Sequence, residues 1–549
     1  MFTHLSVTTG LPRHDTARSL RPSRSSSTTS SGIPDLADSP RTALDVQVTG
    51  GTVRGVRDGS IVAWRGIPYA APPVGPLRFR APQSVIPWCG VRDASRHRDV
   101  ASQIPRNSLR SKIARQLASE DCLTINVLAP TVGRRTRLSL PVMVFIHGGG
   151  YSIGSAQDFP QQGPSFVRTG RVVYVNFNYR LGALGYLDFS GYSTPERPIE
   201  NNLGLRDQLA ALEWVRSNIR SFGGNPNNVT VFGESAGGNA ALTLMATPAA
   251  RGLFARVIAQ SPPPGAAYAP ELTRGWAEEV VNELRAITPD AVGETSDAAQ
   301  LLIEADAGQL MLAALAVQVR TPDAQPGTFC LAPVVDGDLL PEHPVDAFRR
   351  GHTHHVPLII GTNYREGSAF GRRVDILPQS PQRIQALFER APEGTHDAMR
   401  AAYPGLPTKH AASDFGGDFA FWFPSVTVGG LHSRVAPVHF YRFDLAPRLM
   451  HVVGLGATHG IELFALFNDL DTLFARSVTA FGGRKPFISA GERMRRHWLH
   501  FACTGVVEAS WPNYTEQDRQ TLIFDEVDRV ECDPRGEQRQ VWQEFWPTL

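Results

Sequence analysis

A run of β-branched and aromatic residues that leads into a glycine-flanked serine most constrains how this chain can fold. Residues 229–232 read V-T-V-F, residues 233–237 read G-E-S-A-G, and residues 240–245 continue as the apolar run A-A-L-T-L-M. This succession predicts a strand, a sharp turn and a helix, which is the setting that a G-x-S-x-G motif requires. Flanking glycines leave room where a Cβ would collide, so the turn can lift a hydroxyl above the sheet. Ser235 is therefore predicted to be a nucleophile, and a structural serine in a tight turn is the alternative.

Short apolar runs that alternate with helical segments indicate the α/β class. Residues 141–146 (P-V-M-V-F-I) and 171–177 (R-V-V-Y-V-N-F) lack strict alternation, as is typical of parallel strands covered on both faces. Residues 205–219 carry apolar side chains at helical spacing, and further strands are predicted at 356–362 and 438–445. The sequence thus predicts an α/β-hydrolase fold with a mostly parallel central sheet and helices on both faces. The mainly helical intervals 263–330 and 371–435 are predicted to be cap insertions.

The first 43 residues differ in composition from the rest of the chain. They are rich in Ser, Thr, Pro and Arg, include the run R-P-S-R-S-S-S-T-T-S-S-G, and hold few large apolar residues. Such a segment buries too little surface to offset its ordering entropy. We expect a disordered N-terminal tail over residues 1–43 and a single domain over residues 44–549. A transit peptide is the alternative for the tail, but no amphipathic stripe supports it.

Composition excludes several other classes of function. The net charge of +2, with 19% charged residues, gives no concentrated basic face for nucleic acid. No apolar run is long enough to span a membrane, and the N-terminus lacks the pattern of a secretory signal. The five cysteines are scattered and form neither a disulfide framework nor a C-x-x-C pair. We expect a cytoplasmic protein with a small-molecule partner and no metal or organic cofactor; its oligomeric state stays open.

A glycine-rich loop after the predicted strand 141–146 supplies candidate hydrogen-bond donors. Residues 147–151 read H-G-G-G-Y, and glycines allow backbone amides to turn inward and approach a substrate closely. An acyl-transfer enzyme needs such donors in place for the oxyanion of its tetrahedral intermediate. We assign this role to the amides of Gly149, Gly150 and Ala236. A flexible loop is the alternative, whereas a phosphate loop is excluded because no lysine follows.

A serine hydroxyl needs a base, and the base needs a third group that fixes its tautomer. Among sixteen histidines, His459 lies in the loop G-L-G-A-T-H-G-I-E, which follows a predicted strand and precedes an apolar run. That position is the carboxyl edge of the sheet, where the sites of α/β proteins form. The rival cluster of His352, His354 and His355 lies in a polar turn before a strand, at the opposite edge.

For the third group, Glu366 follows the predicted strand 356–362 by a few residues, in N-Y-R-E-G-S-A-F. The order Ser235, Glu366, His459 matches the order of nucleophile, acid and histidine in this fold. Asp336, in V-V-D-G-D-L-L-P, is the alternative acid, but it precedes that strand and is expected in a turn.

Four further side chains near these motifs have weaker assignments. Glu234, inside the G-E-S-A-G motif, is expected to point to the other side of the turn as a buried structural carboxylate. Phe370, Phe421 and Trp422 are candidates for lining a substrate pocket. Packing in the core is the alternative for each of these aromatic residues.

Taken together, these motifs resemble the type-B carboxylesterase family, which includes the cholinesterases and bacterial p-nitrobenzyl esterases. Further segments that resemble the family are residues 64–79, 119–123 (S-E-D-C-L), 178–182 (N-Y-R-L-G), 222–226 (F-G-G-N-P) and 252–256 (G-L-F-A-R). The resemblance extends from about residue 46 to the C-terminus. It implies hydrolysis of carboxylic esters by the same triad, through an acyl-enzyme and without a cofactor. Amide, carbamate or lactone hydrolysis by that triad is one alternative, and a non-catalytic adhesion protein is another.

The chain departs from the family in two places. Family members often close a loop with a disulfide that ends at the cysteine of E-D-C-L, here Cys122, but the matching upstream segment V-A-S-Q has no cysteine. Cys89 is the remaining candidate partner. Residues 103–121 also contain no tryptophan, which cholinesterases use there to bind the choline cation. Specificity for choline esters is therefore not expected.

Overall fold

Runs of valine, isoleucine and aromatic residues form the strands of the structure. The structure is a computed structural model that describes residues 44–104, 118–131, 139–158, 160, 163–288, 297–371, 375–468, 470 and 473–546, the side chains of 473–475 excepted. The tail predicted for residues 1–43 lies outside the described residues. The strands are β1 Asp45–Val48, β2 Gly51–Arg54, β3 Val56–Asp58, β4 Ile61–Pro68, β5 Val91–Asp93, β6 Val100–Ala101, β7 Ala118–Ser119, β8 Thr124–Pro130, β9 Leu140–Ile146, β10 Val173–Phe177, β11 Gly224–Glu234, β12 Arg256–Gln260, β13 Leu358–Asn363, β14 Val438–Phe443, β15 Gln520–Phe524 and β16 Arg529–Cys532.

The described strands include a main sheet with the order β16-β15-β14-β13-β12-β11-β9-β10-β8-β4-β3. Neighbouring strands are parallel throughout the block from β10 to β15. At the two edges of the sheet, each added strand pairs antiparallel with its neighbour: β8, β4 and β3 at one edge and β16 at the other. The carboxyl ends of the seven parallel strands therefore meet at one edge, where the loops after β9, β11, β13 and β14 emerge. Strands β1, β2 and β5 form a small second sheet.

Alternate residues of each central strand enter two different hydrophobic cores. In β9, Val142 and Val144 belong to one core, whereas Met143 and Phe145 belong to the other. Successive side chains of a strand point to opposite faces, so both faces of the sheet are covered by helices. This double burial explains why these strands lack the alternation of polar and apolar residues that a half-exposed strand shows.

The helices supply the two outer layers and the insertions. They are α1 Pro164–Val167, α2 Ala183–Tyr186, α3 Leu203–Asn218, α4 Ala236–Met245, α5 Pro270–Ile287, α6 Ala298–Glu304, α7 Ala307–Ala324, α8 Pro344–Arg350, α9 Pro381–Arg390, α10 His396–Ala402, α11 Lys409–Gly417, α12 Phe423–Ser433, α13 Arg448–Val452, α14 Ile461–Leu466, α15 Leu473–Thr479, α16 Arg484–Thr504 and α17 Gly536–Phe545. A π-helical turn, Asp418–Trp422, joins α11 to α12. Helices α3 and α4 pack on one face of the sheet, and α16 packs on the other.

The predicted fold class is confirmed, together with the predicted strands and the helix after the serine. The predicted helix at 205–219 is observed as α3, and the helical intervals 263–330 and 371–435 contain α5 to α7 and α9 to α12. Residues 44–549 cluster as one unit by their contacts. In the described part of the chain no single helix is both long and apolar enough to cross a membrane, and only α6 with α7 pass that test jointly, across a bend of 118°.

All five cysteines lie in the described residues, and each is a free thiol. Cys122 is buried and Cys89 is exposed. The disulfide that the family resemblance left open for Cys89 and Cys122 is therefore not formed.

Candidate active site

Ser235 lies in a strained turn between β11 and α4, as the sequence predicts. Its backbone has φ +58° and ψ −125°, a conformation that non-glycine residues rarely adopt, and its amide donates to the carbonyl of Gln260 at 2.9 Å. The turn tolerates no side chain at Gly233 or Gly237, the two glycines of the motif. A Cβ on Gly237 would lie 2.1 Å from the carbonyl oxygen of Ile146, and one on Gly233 would lie 2.5 Å from the backbone of Gly237. The flanking glycines therefore let the turn pack directly on the end of β9.

The loop that follows β9 lies beside this serine. A Cβ on Gly148 would lie 3.0 Å from the Cβ of Ser235. Gly149 adopts φ +110°, and the amides of Ser152 and Ile153 both donate to its carbonyl, so the chain turns back on itself. Within the described residues no group accepts a hydrogen bond from the amides of Gly149, Gly150 or Ala236. These amides are thus available to a ligand, and that of Ala236 is also at the positive end of the α4 dipole.

His459 and Glu366 meet across the loops that follow β14 and β13. Nδ1 of His459 donates to Oε2 of Glu366 at 2.6 Å. The other oxygen, Oε1, accepts from the hydroxyl of Ser261 at 2.7 Å and from the amide of Asn363 at 2.6 Å. Three donors therefore hold a buried carboxylate in one orientation, and that orientation fixes the proton of the imidazole on Nδ1.

The other ring nitrogen of His459 faces the serine motif. Nε2 is buried, forms no hydrogen bond to a described residue, and lies 3.3 Å from Oε1 of Glu234. The expectation that Glu234 points to the other side of the turn is therefore wrong, although its side chain is indeed buried.

A third carboxylate, which the sequence analysis did not single out, completes the surroundings of the imidazole. Oε2 of Glu462 accepts from Nδ2 of Asn363 at 2.6 Å, and its Oε1 accepts from Nε2 of Gln260 at 3.2 Å. Burial and the charges of Glu234 and Glu366 raise the pKa of Glu462 above its ordinary value of 4.5. Its position three residues after His459, in the first turn of α14, is the signal that could have identified it.

The electrostatics of the site favour the imidazolium form of His459. Burial of the ring lowers its pKa, but the negative charges of Glu234, Glu366 and Glu462 and the hydrogen bond that the ring donates to Glu366 outweigh that effect. The net result is a pKa above the ordinary value of 6.5. The site thus stabilises the charged form that a general base reaches after it accepts a proton.

Two of the three predicted pocket residues contact the imidazole. The ring of Phe421 lies 4.4 Å from that of His459, centroid to centroid, and the ring of Phe370 lies 5.3 Å away. Trp422 does not lie there: its ring stacks under the guanidinium of Arg535 at 3.9 Å and belongs to the main core. The expectation that Trp422 lines a substrate pocket is therefore not supported, whereas Phe370 and Phe421 lie against the imidazole and stay candidates for that role.

The rejected candidates are engaged elsewhere. His352 contacts Glu342, and His354 and His355 bond to the carbonyls of Thr247 and Gly351. Oδ1 of Asp336 accepts from the amides of Asp338 and Leu340 and so closes a turn. In the described part of the chain no group of three or more His, Cys, Asp or Glu residues is arranged to hold a metal ion.

Comparison with known proteins decides the family. A sequence profile of the carboxylesterase family matches residues 42–542. The chain belongs to the carboxylesterase family. Para-nitrobenzyl esterase of Bacillus subtilis (strain 168) is 35% identical over 499 residues, which cover 89% of this chain and 96% of that protein. Fumonisin B1 esterase of Sphingopyxis macrogoltabida is 33% identical over 513 residues, which cover 90% and 88%.

Solved structures agree with this assignment. A structure of PNB esterase superposes with a TM-score of 0.78 at 33% identity and covers 91% of this chain and 100% of its own. A carboxylesterase of Geobacillus stearothermophilus gives a TM-score of 0.77 at 30% identity, again over 91% and 100%. The carboxylesterase described here is therefore a carboxylic-ester hydrolase with the α/β-hydrolase fold, as its motifs predict.

Proposed function

We propose that this carboxylesterase cleaves its esters with Ser235 as nucleophile, His459 as general base and Glu366 as the group that orients the imidazole. One observation carries the proposal: the 2.6 Å bond from Nδ1 of His459 to Glu366 lies at the same sheet edge as the strained serine turn. Because Glu366 keeps the proton on Nδ1, the lone pair of Nε2 faces the serine motif. That is the tautomer a serine nucleophile requires.

The chemistry follows from these positions. Nε2 of His459 takes the hydroxyl proton while Oγ of Ser235 attacks the ester carbonyl, and the amides of Gly149, Gly150 and Ala236 bind the oxyanion. The imidazolium, stabilised by Glu366, then gives its proton to the leaving alcohol. Water attacks the acyl-enzyme by the same route and releases the acid. The amides of the glycine loop support this assignment, because they donate to no acceptor among the described residues, and donors already committed to other acceptors could not bind an oxyanion.

The surroundings of the imidazole favour an ester with an uncharged apolar group. Leu377, Ala420 and Phe421 form a small cluster of their own, and partly buried Phe329, Phe370, Ile376 and Phe419 pack against it. This cluster reaches His459 through Phe370 and Phe421. We therefore assign to it the binding of an alkyl or aryl part of the substrate, since burial of such a group against aromatic rings is favourable.

The test compares wild type with Ser235→Ala on p-nitrophenyl esters of increasing acyl length. We expect the variant to lose hydrolysis of every ester, because alanine lacks the oxygen that attacks the carbonyl. Ser433→Ala is the matched control, since the hydroxyl of Ser433 donates to the carbonyl of Gly430 at the end of α12. A serine-directed phosphonate is applied to wild type in parallel. If the phosphonate abolishes hydrolysis by wild type but Ser235→Ala still hydrolyses the esters, another serine is the nucleophile and the assignment is contradicted. A p-nitroanilide of the preferred acyl group reports amide cleavage in the same assay.

A reducing compartment, such as the cytoplasm, is the proposed location. The five free thiols support it, since disulfides form in oxidising compartments. Fractionation of the cells that make the protein, with an antibody against it, tests this placement.

A further inference from the structure

The loop that carries His459 is not fixed by its own sequence. Gly454, Gly456 and Gly460 adopt φ values of +76°, +58° and +73°, so three of seven consecutive residues require the left-handed region. Glycine has more conformational freedom than any other residue. A loop of this composition needs support from outside if it is to hold an imidazole in one position.

That support comes from Arg365 and Ser368, which precede and follow Glu366 in the same turn. Nη1 of Arg365 donates to the carbonyl of Gly454 at 2.7 Å, and the amide of Arg365 donates to the carbonyl of Ala457 at 2.9 Å. The hydroxyl of Ser368 donates to the carbonyl of Leu455 at 2.6 Å. The turn that presents the acid therefore also binds three carbonyls of the loop that presents the histidine.

Arg365 is itself anchored on α11. Its Nε donates to Oδ1 of Asp414 at 2.9 Å, and its Nη2 contacts Nδ1 of His410 at 3.0 Å. The backbones are in close contact there as well, because a Cβ on Gly367 would lie 1.9 Å from the carbonyl oxygen of Ser413. The guanidinium thus joins three segments: the turn of Glu366, the loop of His459 and the insertion helix α11.

We propose that Arg365 is a positioning residue, which clamps the His459 loop against the Glu366 turn and so maintains the bond between imidazole and carboxylate, with Ser368 as its auxiliary. Arg365 does not touch the reacting atoms and acts through the loop. The inference rests on the proposed role of His459 as general base.

The physical effect expected from loss of the clamp is a small displacement of the ring. A misplacement of about 1 Å can cost a reaction about 100-fold in rate. The ionisable groups that face the imidazole are Glu234, Glu366 and Glu462, and Glu366 is the one within hydrogen-bond distance. When the loop moves away, the ring loses that partner first, so the acid limb of the pH–rate profile shifts to lower pH.

Arg365→Met tests the side-chain part of the clamp, because methionine keeps an apolar stem against Gly456 and removes every guanidinium donor, while the backbone amide still donates to Ala457. We expect kcat to fall about 10-fold or more with KM changed less than about threefold, and the acid limb to move toward lower pH. Arg365→Lys, which restores one charged donor, should recover part of both effects. Arg434→Met is the matched control, since Arg434 forms a two-bond ion pair with Glu516 at an exposed position.

Ser368→Ala provides a second reading that does not depend on how well the arginine variants fold, since it removes one hydroxyl. It should change kcat and the acid limb in the same direction by a smaller factor. The inference is overturned if Arg365→Met folds and keeps the wild-type acid limb, whatever its kcat. If Arg365→Met does not fold, a wild-type acid limb in Ser368→Ala overturns the inference. A His459→Ala variant that keeps wild-type activity would instead overturn the proposed role of His459 as base. If His459→Ala is inactive and Arg365→Met keeps the wild-type pH profile, only the clamp is overturned.

Discussion

Oε1 of Glu234 lies 3.3 Å from Nε2 of His459 while Oε2 of Glu366 lies 2.6 Å from Nδ1, so a carboxylate faces each nitrogen of one imidazole. The two carboxylates have different tasks. Glu366 accepts a hydrogen bond from Nδ1–H and so fixes the tautomer, whereas Glu234 lies beside Nε2, the nitrogen that takes the serine proton in the proposed mechanism. Both stabilise the imidazolium by their charge, and together with Glu462 they raise the pKa of His459.

The first prediction concerns pH. Only neutral imidazole accepts the proton of Ser235, so kcat/KM should rise with pH through the pKa of His459, at a midpoint above its ordinary value of 6.5. Glu234→Gln removes one negative charge, which destabilises the imidazolium, lowers this pKa and moves the rising limb to lower pH. Profiles of kcat/KM for both proteins measure the shift. A wild-type midpoint at or below 6.5, or a limb that Glu234→Gln leaves in place, would contradict it.

The second prediction concerns the tautomer. In Glu366→Gln the hydroxyl of Ser261 and the amide of Asn363 still donate to the inner position, so the amide oxygen must face them. Its NH₂ group then faces Nδ1 of His459, which becomes an acceptor, and the ring proton moves to Nε2. An imidazole with that tautomer cannot act as base, and kcat should fall by about 10³ to 10⁴.

Steady-state kinetics on a p-nitrophenyl ester measure this loss, with the melting temperature as a check on folding. Asp336→Asn is the matched control, because Asp336 closes a turn away from the imidazole. If Glu366→Gln and Asp336→Asn reduce kcat equally, Glu366 does not orient the base.

The third prediction separates the loss of the Gly149 and Gly150 amide donors from a general effect of backbone strain on kcat. A Cβ on Gly149 would lie 2.0 Å from the carbonyl oxygen of Ile153 at φ +110°, so Gly149→Ala must displace the loop and its amides. Loss of one such donor costs about 10² to 10³ in kcat. Gly59→Ala is the control, because Gly59 also has a positive φ of +58° but nothing within 4 Å of a Cβ. Similar kcat values for the two variants would show that these amides do not serve the reaction.

Topology explains why the sequence predicts that the three proposed triad residues lie at one edge of the sheet. Ser235, Glu366 and His459 each follow a run that reads as a buried strand, and parallel strands place their carboxyl ends at one edge. Once the strands were located, the order of the three residues was enough to bring them together. The amides of Gly149 and Gly150 followed in the same way from the glycine run after β9.

The errors arise where side-chain direction depends on unusual backbone geometry. Glu234 faces the imidazole next to a residue with φ +58°, and ordinary propensities do not predict that conformation. Trp422 lies in the π-helical turn Asp418–Trp422, which changes the direction of successive side chains relative to an α-helix. Phe421 therefore faces His459, and its neighbour faces Arg535. Glu462 was missed because a carboxylate in a helix's first turn normally needs no further explanation.

The last prediction uses that change of direction within the π-helical turn. Phe421→Leu keeps an apolar side chain but removes the ring that lies 4.4 Å from His459, which enlarges the space beside the imidazole. We expect the optimum of kcat/KM to shift toward longer acyl or alkyl groups, since the new space is filled best by additional methylenes. Trp422→Phe is the control, because this adjacent ring packs under Arg535 instead and should leave the optimum unchanged. Assays of both variants over the p-nitrophenyl ester series measure the optimum. An equal shift in Trp422→Phe and Phe421→Leu would show that general loosening of the insertion sets the substrate preference, not the loss of one ring beside the base.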